Sequence, residues 1–251
     1  MNIIKHLKRL YASYIAWRYE HTYHSQDGHN QQKYLYMKGI AKSRTLIVVF
    51  PGCWKGGAKY DYVHTIKDKH CHKIWLLDDS GTNHHGNYLL GEGKKELVIS
   101  LLSEFIAEHQ IERPIFCGSS KGGTSALYFS LYLPNVDVYI GAPQYHVGSY
   151  LNNDTQKPSL VSILGAEPTK EKVLALDKHI QNTLLTSDVT PRSIHLLYSN
   201  VEHTYEEHIR DLIEDIHKRR IPLQETIKDF PNHSEVGSYF VTYLKEQLID
   251  L

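Results

Sequence analysis

The clearest chemistry in the sequence sits in Gly118-Ser119-Ser120-Lys121-Gly122-Gly123. This stretch contains G-x-S-x-G centred on Ser120, the pattern of a nucleophile projected from a sharp strand-to-helix turn. Its context fits: the apolar run 114–117 (PIFC) leads in, and the helical pattern 122–133 leads out. The glycines permit the tight turn, and a helix N-terminus behind Ser120 favours developing negative charge. The plain alternative is a Gly-rich turn with an N-capping serine. A phosphate-binding loop is disfavoured, because the G-x-x-x-x-G-K-[ST] spacing is absent.

A serine hydroxyl needs a base, and the base an orienting acid. In the order Ser, acid, His, the base follows the last strand. There the chain reads Asp229-Phe230-Pro231-Asn232-His233-Ser234, which makes His233 the candidate base. The acid follows the preceding strand, in Ser199-Asn200-Val201-Glu202-His203-Thr204. Thr204 and Glu207 have capping-box spacing, so a helix is expected from Thr204, with Glu207 committed to its cap. Glu202 is then the candidate acid, with Asp188 and Asp229 as alternatives. Glu206 is expected on the helix surface.

Acyl chemistry also needs backbone N–H groups for an oxyanion. Lys121, after the nucleophile, supplies one. The other comes from the loop after the apolar strand 44–50, Pro51-Gly52-Cys53-Trp54-Lys55-Gly56-Gly57, with Cys53 first and Trp54 next. Lys55 is the first candidate cation for a phosphorylated substrate, Lys121 the second, and His84 and His85 are expected to line the site. No metal site is expected: neither HExxH nor paired Cys/His spacing occurs. Dinucleotide binding is disfavoured by the lack of GxGxxG on the first βα turn.

These residues need strands and helices that bring them to one edge. Strands are expected at 33–38, 44–50, 73–77, 114–117, 136–140, 193–198 and within 224–230. Helices are expected at 2–20, 94–109, 122–133, 170–185, 204–218 and 235–248. The segment 21–32 is polar and expected as a loop. Alternating strands and helices predict an α/β fold, with a mainly parallel sheet covered on both faces. The chain reads as one domain over 1–251, interrupted at 142–191 by an insertion or lid expected above the strand ends.

Composition narrows the function. The chain has 251 residues, with 28 Lys+Arg against 28 Asp+Glu, which argues against a nucleic-acid-tracking surface. Hydrophobic residues make up 41%, enough for a packed core. The 3 cysteines, Cys53, Cys71 and Cys117, form no CxxC pair and suit a reducing compartment. Lys5, Lys8 and Arg9 interrupt the N-terminal apolar positions, unlike a secretory leader, so a cytoplasmic protein is expected. Segment 2–20 places Ile3, Ile4, Leu7, Leu10, Tyr14 and Trp17 at helical spacing. It is read as a helix docked on the domain; weak association with the inner membrane is the alternative.

The elbow around Ser120, with Glu202 and His233 in later loops, resembles the α/β-hydrolase superfamily over nearly the whole chain. The finer motifs GSSKGG, YSNVEHTYEEH and NHSEVGSYF resemble bacterial capsule polysaccharide O-acetyltransferases of the meningococcal capsule type, and the related accessory-secretion carbohydrate acetyltransferases. The resemblance implies acetyl transfer from acetyl-CoA, a co-substrate rather than a tightly bound cofactor, to a sugar hydroxyl of a capsular polysaccharide. The reaction would run through acetyl-Ser120. It also implies proximity to the capsule-assembly machinery. An aspartate often holds the acid position in such enzymes; here the candidate is the longer Glu202. The residues alone leave open a carbohydrate acetyl esterase or serine hydrolase, and a non-catalytic carbohydrate-binding or assembly protein.

Overall fold

The computed structural model describes residues 3–54, 56–81 and 84–251, with residues 3–10 as backbone only. Among the described residues, eight strands form a single sheet in the order β1-β2-β4-β3-β5-β6-β7-β8. These are β1 (Glu20–His24), β2 (Gln31–Met37), β3 (Thr45–Val49), β4 (His72–Leu76), β5 (Arg113–Ser119), β6 (Asp137–Gly141), β7 (Ser193–Tyr198) and β8 (Leu223–Ile227). From β4 to β8 all neighbours are parallel, whereas β1 on β2 and β2 on β4 are antiparallel.

The apolar run of β3 explains its central place. Leu46 and Val48 feed the core on one face, Ile47 and Val49 the core on the other, and all are buried. Successive strand residues point to opposite faces, so only a strand covered on both sides buries such a run. The first face is covered by α3 (Lys94–Glu108), α4 (Lys121–Ser130), α7 (Lys170–Thr186) and α8 (Arg210–Lys218). The second is covered by α1 (Ile3–Tyr19), the short α2 (Val63–Ile66) and α9 (Val236–Gln247).

Some expectations change. The segment expected as a loop at 21–32 contains β1 and a turn closed by Gly28 N–H donating to the Ser25 carbonyl. β1 lies at the sheet edge and is almost wholly exposed, so it lacks the polar–apolar alternation that marks a strand. The stripe expected on α1 also shifts. Ile15 is buried and Tyr11 and Tyr19 pack beside it, while Tyr14 and Trp17 are exposed, Trp17 at 80%. Ile3, Ile4, Lys5, Leu7, Lys8, Arg9 and Leu10 have side chains outside the described residues. Among the described residues, no helix is long and apolar enough to cross a membrane.

Segment 142–191 holds α5 (Val147–Leu151), α6 (Lys157–Leu164) and α7. Pro158 lies in the first turn of α6, where its missing N–H costs no helical hydrogen bond. Val173, Leu176, Ile180 and Leu184 of α7 are buried in the first-face core, so this helix is part of the layer on the sheet.

Candidate active site

Every strand from β3 to β8 delivers a loop to the same carboxyl edge, and Ser120 stands there between β5 and α4. Its backbone has φ 53° and ψ −126°, a conformation that costs a non-glycine residue roughly 1–3 kcal/mol and is sustained by its surroundings. Ser120 N–H donates to the Gly141 carbonyl at 2.7 Å, and the Ser120 carbonyl accepts from Thr124 N–H at 3.0 Å. The flanking glycines act through close approach. A Cβ on Gly118 would lie 2.5 Å from the Gly122 backbone, and one on Gly122 would lie 2.3 Å from the Phe50 carbonyl oxygen. The first turn of α4 is thus pressed against the ends of β5 and β3.

Ser120 Oγ lies 2.8 Å from His233 Nε2, and His233 Nδ1 lies 3.0 Å from Glu202 Oε1. His233 opens a 3-10 turn, His233–Glu235, after β8. Glu202 is buried in the loop after β7, and its second oxygen accepts from the Thr204 hydroxyl. Burial acts to raise the Glu202 carboxyl, but the hydrogen bonds from His233 and Thr204 outweigh it and hold it below the ordinary glutamate value. A carboxylate on Nδ1 keeps that nitrogen protonated and leaves Nε2 as an acceptor facing the serine. The other acid candidates, Asp188 and Asp229, are exposed, and Glu206 pairs with Arg210 on the surface.

The capping box expected at Thr204 is absent. Thr204 makes no side-chain cap, because its buried hydroxyl is committed to the Glu202 carboxylate. The next turn, Tyr205–Ile209, is π-helical, a local widening often found at functional sites. It carries His208, buried beside Tyr150 of α5 with ring centroids 5.6 Å apart. His208 Nδ1 accepts from His146 N–H at 3.3 Å, and its Nε2 has no hydrogen-bond partner among the described residues. Burial first, then the neighbouring His146, His233 and His203, push this imidazole down to about 4. Between about pH 6.5 and 4 the unfolded chain therefore takes up a proton that the folded chain refuses, so stability falls with pH in that window. His208→Phe should flatten the decline of melting temperature between pH 7 and 4.5; identical slopes in the two proteins would refute this.

Asp61 organises the loop after β3. Its carboxylate accepts from Gly52 N–H and from the Trp54 indole N–H, both at 2.7 Å. The Trp54 ring nitrogen is therefore committed, while Cys53 is exposed at the turn between these two anchors. Lys121 opens α4, so its N–H is one of the first-turn donors without an intrahelical acceptor. Its side chain does not serve as a surface cation: the buried ammonium lies 2.7 Å from buried Asp78 Oδ2, which also accepts from Asn87 N–H. Removing one member of such a pair strands the other charge, at about 3–5 kcal/mol. Lys121→Met and Asp78→Leu should each lower unfolding stability by that order in urea titrations, and the double variant by less than their sum. Single variants within about 1 kcal/mol of wild type would contradict the role of the pair.

Lys55 lies outside the described residues. His84 is exposed and its Nδ1 is bonded to the Asp79 carbonyl; His85 is half-buried. Neither hydrogen-bonds to Ser120, His233 or Glu202 among the described residues. Among those residues, no cluster of His, Cys, Asp and Glu is arranged to hold a metal. Sequence reasoning missed Asp61 and, closest to the serine, Gln144, and it read Thr204 as a helix cap rather than as the partner of Glu202. The Gln144 amide nitrogen lies 2.9 Å from both Ser120 Oγ and His233 Nε2.

The mixed sheet with its parallel strands from β4 to β8, and Ser120 at the strand–helix bend, define an α/β-hydrolase-like fold. Solved structures bear this out at low sequence identity. The capsule O-acetyltransferase of Neisseria meningitidis serogroup A is 20% identical, with 87% of this chain and 92% of that chain covered, at a TM-score of 0.70. A mutant of that enzyme in complex with CoA matches at 18% identity over 86% and 91% of the two chains, TM-score 0.67. The S-formylglutathione hydrolase from Agrobacterium tumefaciens is 15% identical over 92% of each chain, TM-score 0.60. No protein-family model matches the sequence. No curated protein matches it either.

Proposed function

We propose that this protein is a serine-dependent O-acetyltransferase that moves acetyl from acetyl-CoA to a sugar hydroxyl of a capsular polysaccharide. The observation that carries the reading is the hydrogen-bonded chain Ser120–His233–Glu202 at the carboxyl edge of the sheet. Its likeness in fold to a capsule O-acetyltransferase supports the substrate class. In the first half-reaction Ser120 Oγ attacks the thioester carbonyl and gives its proton to His233 Nε2. Glu202 stabilises the imidazolium, and the N–H groups of Lys121 and Cys53 receive the oxyanion. The carbon–sulfur bond breaks, and the His233 proton passes to the departing thiolate. In the second half-reaction the sugar hydroxyl gives its proton to His233 and attacks the acetyl carbon. Ser120 Oγ leaves and regains that proton.

Lys59, exposed beside the loop with its ammonium 4.6 Å from the Trp54 ring centroid, is a suitable cation for the donor's phosphates. Exposed Tyr14 and Trp17 on α1 are a suitable contact for the weak association with membrane or capsule machinery.

A carbohydrate acetyl esterase is the second reading, favoured by the hydrolases that share the fold. The same acyl-enzyme serves both, and they differ only in what attacks it. Incubation with labelled acetyl-CoA, with and without capsule oligosaccharides, tests the assignment. Label carried into polymer is the expected result; label released only as acetate means the esterase.

A further inference from the structure

Gln144 follows β6 in the loop Ala142-Pro143-Gln144, and its side chain is fully buried. Its backbone is clamped in both directions by one side chain. Gln144 N–H donates to Thr124 Oγ1 at 2.8 Å, and the Thr124 hydroxyl donates to the Gln144 carbonyl at 2.9 Å. Thr124 belongs to the first turns of α4, so the loop is fastened to the helix that Ser120 opens. The buried Tyr88 hydroxyl lies 3.4 Å from Oε1 at the far side of the amide.

The orientation of this amide follows from its neighbours. His233 Nδ1 faces a carboxylate and carries the ring proton, so His233 Nε2 is an acceptor. An atom 2.9 Å from that acceptor must be a donor, hence the amide nitrogen faces the pair. In the free enzyme the Gln144 amide donates to Ser120 Oγ at 2.9 Å and also lies 2.9 Å from His233 Nε2, whose lone pair it shares with the Ser120 hydroxyl at 2.8 Å. Acetylation of Ser120 removes the hydroxyl proton, and the amide is then the remaining donor on the base.

From this geometry we propose that Gln144 caps the base of the acetyl-enzyme and suppresses its hydrolysis. The proposal rests on the acyl-serine reading above. A nucleophile must stand within hydrogen-bond reach of Nε2 and close to the acyl carbon, itself bonded to Oγ. The amide nitrogen, 2.9 Å from both Oγ and Nε2, already occupies part of that space and holds the lone pair. To be activated, an attacker must first break the N–H···N bond. A lone water has nothing else to offset that loss. A polysaccharide has contacts along its other sugars, whose binding energy can be spent at the reacting centre. Gln144 thereby biases the intermediate toward transfer without touching the acceptor chain elsewhere.

The test acetylates the full chain with p-nitrophenyl acetate and follows the adduct on Ser120 by rapid-quench intact-mass measurement. Gln144→Met keeps most of the volume and lacks the donor. Its adduct should be lost to water roughly fivefold to tenfold faster than that of wild type, the value of about one hydrogen bond. A merely supporting side chain predicts the opposite, since a looser triad deacetylates more slowly. An equal or longer adduct lifetime in the variant overturns the proposal. So does a wild-type adduct that hydrolyses too fast to be trapped. Only acylated, hence folded, molecules are read; if the thioether destabilises the chain, Gln144→Leu carries the same comparison. If wild type gains no adduct and a fluorophosphonate leaves Ser120 unlabelled, the acyl-serine reading itself has failed, and the proposal with it.

Discussion

Ser120→Ala should yield a folded protein that turns over acetyl donors at least about a thousandfold more slowly than wild type and no longer reacts with a fluorophosphonate probe. The change deletes one oxygen, which lies 2.8 Å from His233 Nε2 and 2.9 Å from the Gln144 amide. It leaves Cβ, and therefore the elbow, in place. The neighbouring hydroxyl cannot substitute, because Ser119 Oγ is held 2.6 Å from the Tyr62 hydroxyl. Residual activity in such variants comes from the oxyanion donors and from binding alone. Steady-state kinetics with acetyl-CoA, read beside the melting temperature, checks this. A well-folded Ala variant that keeps more than a few per cent of wild-type turnover sinks the nucleophile assignment.

Glu202→Gln is expected to be nearly as damaging. The amide keeps the volume, but its NH2 or neutral carbonyl replaces the carboxylate that accepts from His233 Nδ1 and from Thr204. The imidazole is then free to place its proton on Nε2, where it cannot accept from serine, and the imidazolium loses its counter-charge. In the Ser-His-Asp template the corresponding isosteric change costs about 10⁴ in turnover, and a loss of about 10³–10⁴ is expected here. Asp188→Asn and Asp229→Asn, at exposed positions, should stay near wild type. The assignment fails if either exposed variant is crippled while Glu202→Gln is not.

Stability should follow the same carboxylate. Because the folded chain holds Glu202 below its ordinary value, its contribution is fully present above about pH 4.3 and is lost as pH falls through the folded value. The gap in melting temperature between wild type and Glu202→Gln should therefore close in acid. A gap that is constant from pH 7 to 3 would contradict the linkage.

The sequence by itself determined the repeating strand–helix order, because hydrophobic period and turn residues are local properties. The run TLIVV required a strand buried on both faces, and G-x-S-x-G at the end of an apolar strand required a sharp bend into a helix. It also determined which loops share an edge, because parallel connections return each strand end to the same side. That is why Ser120, Glu202 and His233 could be singled out from residues far apart in the chain. The tertiary structure decided what depends on competition between distant groups. Thr204 caps its helix by local rules, but Glu202, buried beside it, takes the hydroxyl through a charge-assisted bond. By sequence Lys121 is a cation beside a glycine loop; in the fold Asp78, from after β4, draws that cation inward. β1 carries no pattern of its own and exists because β2 offers it an unpaired edge. Gln144 is an ordinary polar residue after a strand until Thr124 clamps it and the ends of β5 and β8 bring Ser120 and His233 to its amide. No periodicity or motif encodes such a meeting, because it is the product of the packed sheet as a whole.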